Sequence, residues 1–153
     1  MFKPLVRIIN TFFYVGYLPL IPGTFGSIAG LFLFFMVKDN VLIFLLTTFV
    51  LLTLGFMFSG QTEKEAARSD PPCVVIDEVC GMLLSLIFLP YDIKLIILAF
   101  IIFRILDTLK PYPAGRLERL RGGVGIMSDD IVAGFYTNVI LQVVARFTFF
   151  KAS

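Results

Sequence analysis

Hydrophobic residues along this chain come in long runs separated by short polar turns. The clearest run is Val41 to Gly60, about twenty residues without a charge, which is the length that crosses the hydrocarbon core of a bilayer. Ahead of it, Ser27 to Val37 is apolar but shorter, and Lys38-Asp39-Asn40 supplies a turn, so these segments predict a helical hairpin. A second hairpin is predicted from Val79 to Pro90, a turn at Tyr91-Asp92, and Ile93 to about Leu109. The last apolar segment, Ile131 to about Phe150, is interrupted by Arg146. Several segments fall short of a full span, which leaves the number of crossings open. Near the N-terminus, Leu5, Ile8, Ile9, Phe12 and Phe13 recur at helical spacing with Lys3 and Arg7 between them, as in a short helix lying in the membrane interface. Gly16, Pro19, Pro22 and Gly23 break that stretch and no A-x-A site follows, which argues against a cleaved signal peptide. The pattern predicts an all-α fold: one domain over residues 1–153, a compact membrane bundle of helical hairpins.

Two polar stretches separate the hairpins. Residues 60–72 contain Thr62-x-x-Glu65, a capping-box pattern, and end at Asp70-Pro71-Pro72, which stops a helix. Lys110 to Asp130 is longer, carries Pro111, Pro113 and Gly122-Gly123-Val124-Gly125, and reads as loop. Composition agrees with lipid as the solvent: 58% of residues are hydrophobic and 16% charged, where an average chain is about a quarter charged. A net charge of +2 without a continuous basic run gives no nucleic-acid footprint. Cys73 and Cys80 read as small buried residues in a reducing compartment rather than a disulfide.

Parity assigns the sides. With the turns at Lys38–Asn40 and Tyr91–Asp92 on one side, the N-terminus, residues 60–78 and residues 110–130 lie on the other. That second side holds Lys3, Arg7, Lys64, Arg68, Arg104, Lys110, Arg116, Arg119 and Arg121. The turn side keeps Lys38, Lys94, Arg146 and Lys151. The excess marks the basic side as cytoplasmic. Of the 11 acids, only Asp39 and Asp92 fall on the turn side. Acids do not set orientation, so their skew needs another cause.

Three acidic clusters supply a candidate. Asp77-Glu78 stands at the mouth of an apolar helix, Arg104, Asp107 and Lys110 are spaced to share a helix face, and Asp129-Asp130 precedes the last apolar segment. Each cluster alone also has an ordinary explanation. Acids favour a helix's first turn, Ser128 or Asp129 suits an N-cap, and Arg104 or Lys110 can pair with Asp107. Together at one membrane face, five carboxylates repel one another unless a cation neutralises them. Oxygen ligands without histidine or thiolate favour magnesium, with manganese or calcium behind it, and make zinc unlikely. The start of the first apolar helix, Pro22-Gly23-Thr24-Phe25-Gly26-Ser27, is a candidate phosphate cradle through Thr24, Ser27 and backbone amides, or else an ordinary capped turn. With no histidine, no C-x5-R and no D-x-D, the surviving phosphatase chemistry is metal-assisted attack of water with a carboxylate as base. A small ion transporter or a non-catalytic scaffold are the rival classes. A transporter would place its acids near mid-membrane rather than at helix ends.

Four segments then carry a resemblance. They are Gly16 with Leu18-Pro19-Leu20-Ile21-Pro22-Gly23-Thr24-Phe25-Gly26-Ser27, and Val75-Ile76-Asp77-Glu78 with Gly81. With them stand Phe103-Arg104-x-x-Asp107-x-x-Lys110-Pro111-x-Pro113, and Gly125-Ile126-Met127-x-Asp129-Asp130-x-x-Ala133-Gly134. In this order and spacing they resemble the phosphatidylglycerophosphatase A family over nearly the whole chain. The resemblance implies an all-α, magnesium-dependent, multi-pass enzyme of the bacterial inner membrane, acting on the phospholipid phosphatidylglycerophosphate. On that basis Asp77, Glu78, Asp107, Asp129 and Asp130 are expected to bind Mg2+ and carry catalysis, with Asp129 or Asp130 as base. Arg104, Lys110, Thr24 and Ser27 are expected to hold the substrate phosphate. A phosphatase acting on another lipid phosphate is the nearest alternative.

Overall fold

The computed structural model describes residues 3–68 and 71–150, with side chains through residue 147. Among them all regular structure is helical: α1 (Lys3–Asn10), a 3-10 turn (Val15–Tyr17), α2 (Pro22–Val37), α3 (Val41–Ala66), α4 (Ile76–Ser85), α5 (Ile93–Leu109), α6 (Ala114–Leu117) and α7 (Gly123–Phe150). Asp70, placed by sequence at a helix stop, and Lys151, counted on the turn side, lie outside the described residues.

Helices α3 and α7 are long and apolar enough to cross a membrane, and α2 is apolar but shorter. Phe49, Val50 and Met57 on α3 and Phe135, Val143 and Phe147 on α7 are exposed. Such a surface is an association hazard in water but a good match for acyl chains. The short helix α4 is the opposite case. It is apolar nearly all round, which suits a position inside protein, and it packs against α2, α7 and α3. Val75, Ile76, Val79, Cys80, Met82 and Leu83 have no exposed surface.

Ending a helix inside an apolar bundle leaves carbonyls that need donors. Asn138 Nδ2 donates to Ser85 O at 3.1 Å and Ile87 O at 2.8 Å, and Gln142 Nε2 donates to Ile87 O at 3.1 Å. Asn138→Leu should therefore destabilise the fold by about 1–3 kcal/mol, the cost of leaving the buried Ser85 carbonyl without its donor while Ile87 O keeps Gln142, as measured by unfolding in detergent micelles.

Several boundaries differ from those expected. Helix α2 begins at Pro22, well before Ser27, because proline's fixed φ and missing N–H suit a first helical position. Helix α3 continues past Gly60 to Ala66, so Thr62 and Glu65 lie inside it and form no capping box; it closes at Ala67, whose φ is 48°. Thr62 instead accepts a hydrogen bond from Asn10 Nδ2 at 2.6 Å, which docks α1 on α3. The expected run to Pro90 is helical only as far as Ser85.

Helix α7 starts at Gly123 rather than near Ile131, and Ser128, Asp129 and Asp130 are interior helical residues, not caps. Packing overrides the glycine cluster's loop propensity: a Cβ at Gly123 would lie 2.2 Å from Phe56 O, and Glu63 Oε2 accepts from Gly122 N at 2.6 Å. Neighbours in sequence are not the main partners in space. Helices α2 and α3 touch only slightly, with α2 lying on α4 and α3 on α7 and α1. The two polar turns do meet: Lys38 Nζ stands 4.5 Å from the centre of the Tyr91 ring.

Candidate active site

The site begins with two glycines. Gly81 lies one helical turn after Asp77 on α4, and Gly134 lies one turn after Asp130 on α7. A Cβ at Gly134 would sit 2.4 Å from the Gly81 carbonyl oxygen, and one at Gly81 would sit 2.8 Å from the Asp130 carbonyl oxygen. Only glycine lets the two backbones approach this closely, the small-residue packing that membrane helices use. The crossing brings Asp77 and Glu78 against Asp129 and Asp130. Helix α5 delivers Asp107 and Arg104 in its last two turns.

Two sets of carboxylates result. One oxygen from each of Asp77, Glu78 and Asp130 lies within 4.8 Å of the others, and so does one from each of Asp107, Asp129 and Asp130. Asp130 belongs to both sets. Asp77, Asp129 and Asp130 are buried, and Glu78 and Asp107 are half-buried. Glu78 Oε2 and Asp130 Oδ1 are buried without a hydrogen-bond partner. Burial pushes the Glu78 carboxyl up to about 7; Asp77's hydrogen bond opposes the rise and the Asp107 charge adds to it. This donor set suits a hard divalent cation: it offers oxygen only, in excess of what local basic groups can neutralise.

The cations are placed differently from one another. Arg104 Nη1 donates to Asp107 Oδ2 at 2.5 Å. Lys110, at the left-handed C-cap of α5 (φ 46°), makes no ion pair with Asp107 and donates to Glu118 Oε1 at 2.6 Å and Asp129 Oδ2 at 2.9 Å. Burial disfavours its charge, but those two partners outweigh it and hold its pKa above the ordinary value. A cavity of about 340 Å3 is lined by all five acids together with Arg104, Lys110 and Gly23.

Seven of the nine residues proposed from sequence thus face one cavity, and two do not line it. Thr24 is absent from its wall, and the buried Ser27 hydroxyl donates back to Gly23 O at 3.0 Å. The first-turn amides of Thr24 and Phe25 both donate to Ile21 O, so they make no open cradle. The α2 start contributes Gly23 instead, where a Cβ would fall 2.4 Å from Glu78 Oε1. Sequence reasoning also missed Glu118, which anchors Lys110, and Arg68, which lines the cavity. Their only sequence signal was a place on the basic, acid-rich side.

A protein-family model described as "Phosphatidylglycerophosphatase A" matches residues 8–145. A Bacteroides thetaiotaomicron protein named "Putative phosphatidylinositol-3-phosphatase" is 33% identical over 89% of this chain and 91% of its own length. Proteins named phosphatidylglycerophosphatase A from Escherichia coli and Haemophilus influenzae are 37% and 35% identical, covering 86% and 78% of this chain and 78% and 76% of their own lengths. No solved structure matches the chain. The match takes in every acid of the cavity and both glycines of the α4–α7 crossing, and the chain belongs to the phosphatidylglycerophosphatase A family.

Proposed function

We propose that the protein hydrolyses the phosphate monoester of phosphatidylglycerophosphate to phosphatidylglycerol and inorganic phosphate, with Mg2+ as cofactor, as a step of phospholipid biosynthesis. The observation that carries the proposal is the pair of carboxylate triads sharing Asp130 in a cavity that also holds Arg104 and Lys110. Asp77, Glu78 and Asp130 would hold one ion, and Asp107, Asp129 and Asp130 are placed for another. The orphaned oxygens of Glu78 and Asp130 support the fit. Magnesium, when bound, supplies Lewis acidity toward the phosphoryl oxygens and makes water more acidic.

The chain's own groups do the rest. Arg104, steadied by Asp107, and Lys110, steadied by Glu118, hold the phosphate oxygens in the orientation for attack. Asp129 or Asp130 takes a proton from the attacking water as its oxygen bonds to phosphorus. The phosphorus–oxygen bond to glycerol breaks, and the leaving oxygen takes up the proton that the carboxylate drew from the water, so phosphatidylglycerol departs as the alcohol. The acyl chains stay among the exposed apolar faces of the helices, so the lipid remains in the bilayer.

The site is proposed to face the cytoplasm from the inner membrane. The basic excess at this end supports that orientation, and Arg116, Arg119 and Arg121 would each add about 1 kcal/mol toward an anionic surface.

The test is phosphate release from phosphatidylglycerophosphate by the purified protein in neutral vesicles. Chelation with EDTA should lower the rate by at least about a hundredfold and added Mg2+ should restore it, since the metal carries several kcal/mol of the barrier reduction. Release that survives full chelation would sink the metal mechanism. The Bacteroides relative's name favours a second substrate, phosphatidylinositol 3-phosphate, and the same assay on that lipid decides between them.

A further inference from the structure

Beside the carboxylate cavity lies a second depression, of about 510 Å3, lined by Glu63, Lys64, Ala67, Arg68, Arg121 and Gly122. Arg68 lines both. The other cations of the catalytic cavity are paired with acids, Arg104 with Asp107 and Lys110 with Glu118 and Asp129, and are assigned above to the reacting phosphate. Lys64, Arg68 and Arg121 make no ion pair among the described residues. Among the described residues the one acid lining the depression is Glu63, whose Oε2 accepts from the Gly122 amide. Three exposed cations therefore surround a hollow in which, among the described residues, the one carboxylate has an oxygen bonded to the backbone.

Position adds a second argument. Helix α3 ends at Ala66 and α7 begins at Gly123, so both candidate spans end beside the hollow, and with these helices crossing a bilayer this is the level at which they leave its apolar layer. The hollow thus lies at headgroup depth, next to the carboxylates that would act on a terminal phosphate.

A lipid with one phosphate presents a single anionic group to the cavity. Phosphatidylglycerophosphate presents two: the reacting monoester and a phosphodiester that stays with the product. We propose that Lys64, Arg68 and Arg121 form a phosphodiester subsite that selects lipids carrying this second phosphate, with Arg68 joining the subsite to the catalytic cavity. This rests on the function proposed above. Arginine suits the role because its planar fork can bond two phosphate oxygens at once.

The experiment compares wild type, Arg68→Gln, Arg68→Lys, Lys64→Gln and Arg121→Gln in phosphatidylcholine vesicles. These contain either phosphatidylglycerophosphate or phosphatidic acid, which lacks the second phosphate. Arg68→Gln should raise KM for phosphatidylglycerophosphate by about fivefold or more with kcat within about twofold, and should lower the preference for it over phosphatidic acid in kcat/KM by a similar factor. Arg68→Lys should recover part of that preference, and Lys64→Gln and Arg121→Gln should each lower it by less. An unchanged preference ratio in Arg68→Gln would overturn the subsite, whether both substrates decline equally or neither does. So would an effect of Arg68→Gln that tracks added phosphatidylserine, which would mark Arg68 as a reader of the bilayer surface. Equal weakening of inhibition by inorganic phosphate would mark a product site instead and also overturn it. A wild type inactive on phosphatidylglycerophosphate would overturn the proposed function and the subsite together. An active wild type with unshifted variants overturns the subsite alone.

Discussion

Asp130→Asn should lower phosphate release by about a thousandfold or more while leaving the fold intact, because it removes the one carboxylate common to both triads. A neutral amide cannot supply the charge that holds a divalent ion, so both candidate metal positions are weakened at once. The stability readout has the opposite sense. Five acids share this cavity, and without a cation their repulsion opposes folding. Neutralising Asp130 relieves part of that repulsion, so the metal-free variant should unfold no earlier than metal-free wild type. Added Mg2+ should raise the unfolding temperature of wild type by mass action and do so far less for the variant. Activity within tenfold of wild type, or an undiminished magnesium shift, would remove Asp130 from the site. Asp107→Asn belongs only to one triad and frees Arg104 from its partner, so it too should abolish turnover while the protein stays folded.

Gly134→Ala should lose stability and activity together. Its new methyl group would lie 2.4 Å from the Gly81 carbonyl oxygen, a backbone atom that cannot swing aside. Helices α4 and α7 must then separate, at a cost of about 1–3 kcal/mol for overpacking. Separation pulls Asp77 and Glu78 away from Asp129 and Asp130, so turnover should fall by about a hundredfold, the usual result of displacing catalytic groups by an ångström. The two variants are separated by thermal unfolding in micelles: Asp130→Asn loses activity alone, Gly134→Ala loses both. A Gly134→Ala protein with wild-type stability and rate would show that this crossing does not set the site.

Much of the molecule follows from local chemistry. Apolar run lengths predicted helices, and Val41 onward proved to be a candidate span. The meeting of the five motif acids was also legible, because the order of turns and apolar runs gathers them between the same segments. The turns at Lys38–Asn40 and Tyr91–Asp92 do lie together, and all five acids line one cavity.

What sequence could not supply was contact. Nothing local makes α4 central; its burial depends on α2, α3, α5 and α7 surrounding it. Glycines at Gly122 to Gly125 read as loop because propensity is an average over contexts. Here close packing of Gly123 on α3 starts α7 at that residue and carries Asp129 and Asp130 inside the helix. Ser27 had the right chemistry for a phosphate, yet its hydroxyl is spent on Gly23 O. Lys110 had the spacing to meet Asp107, but a left-handed cap turns it to Glu118 and Asp129. Sequence by itself determined the helices, two of them apolar and long enough to cross a membrane, and the gathering of the five motif acids, since these depend on periodicity, length and charge along the chain. Only the tertiary structure decided which oxygens converge and which cations are taken, because those are distances between helices far apart in sequence.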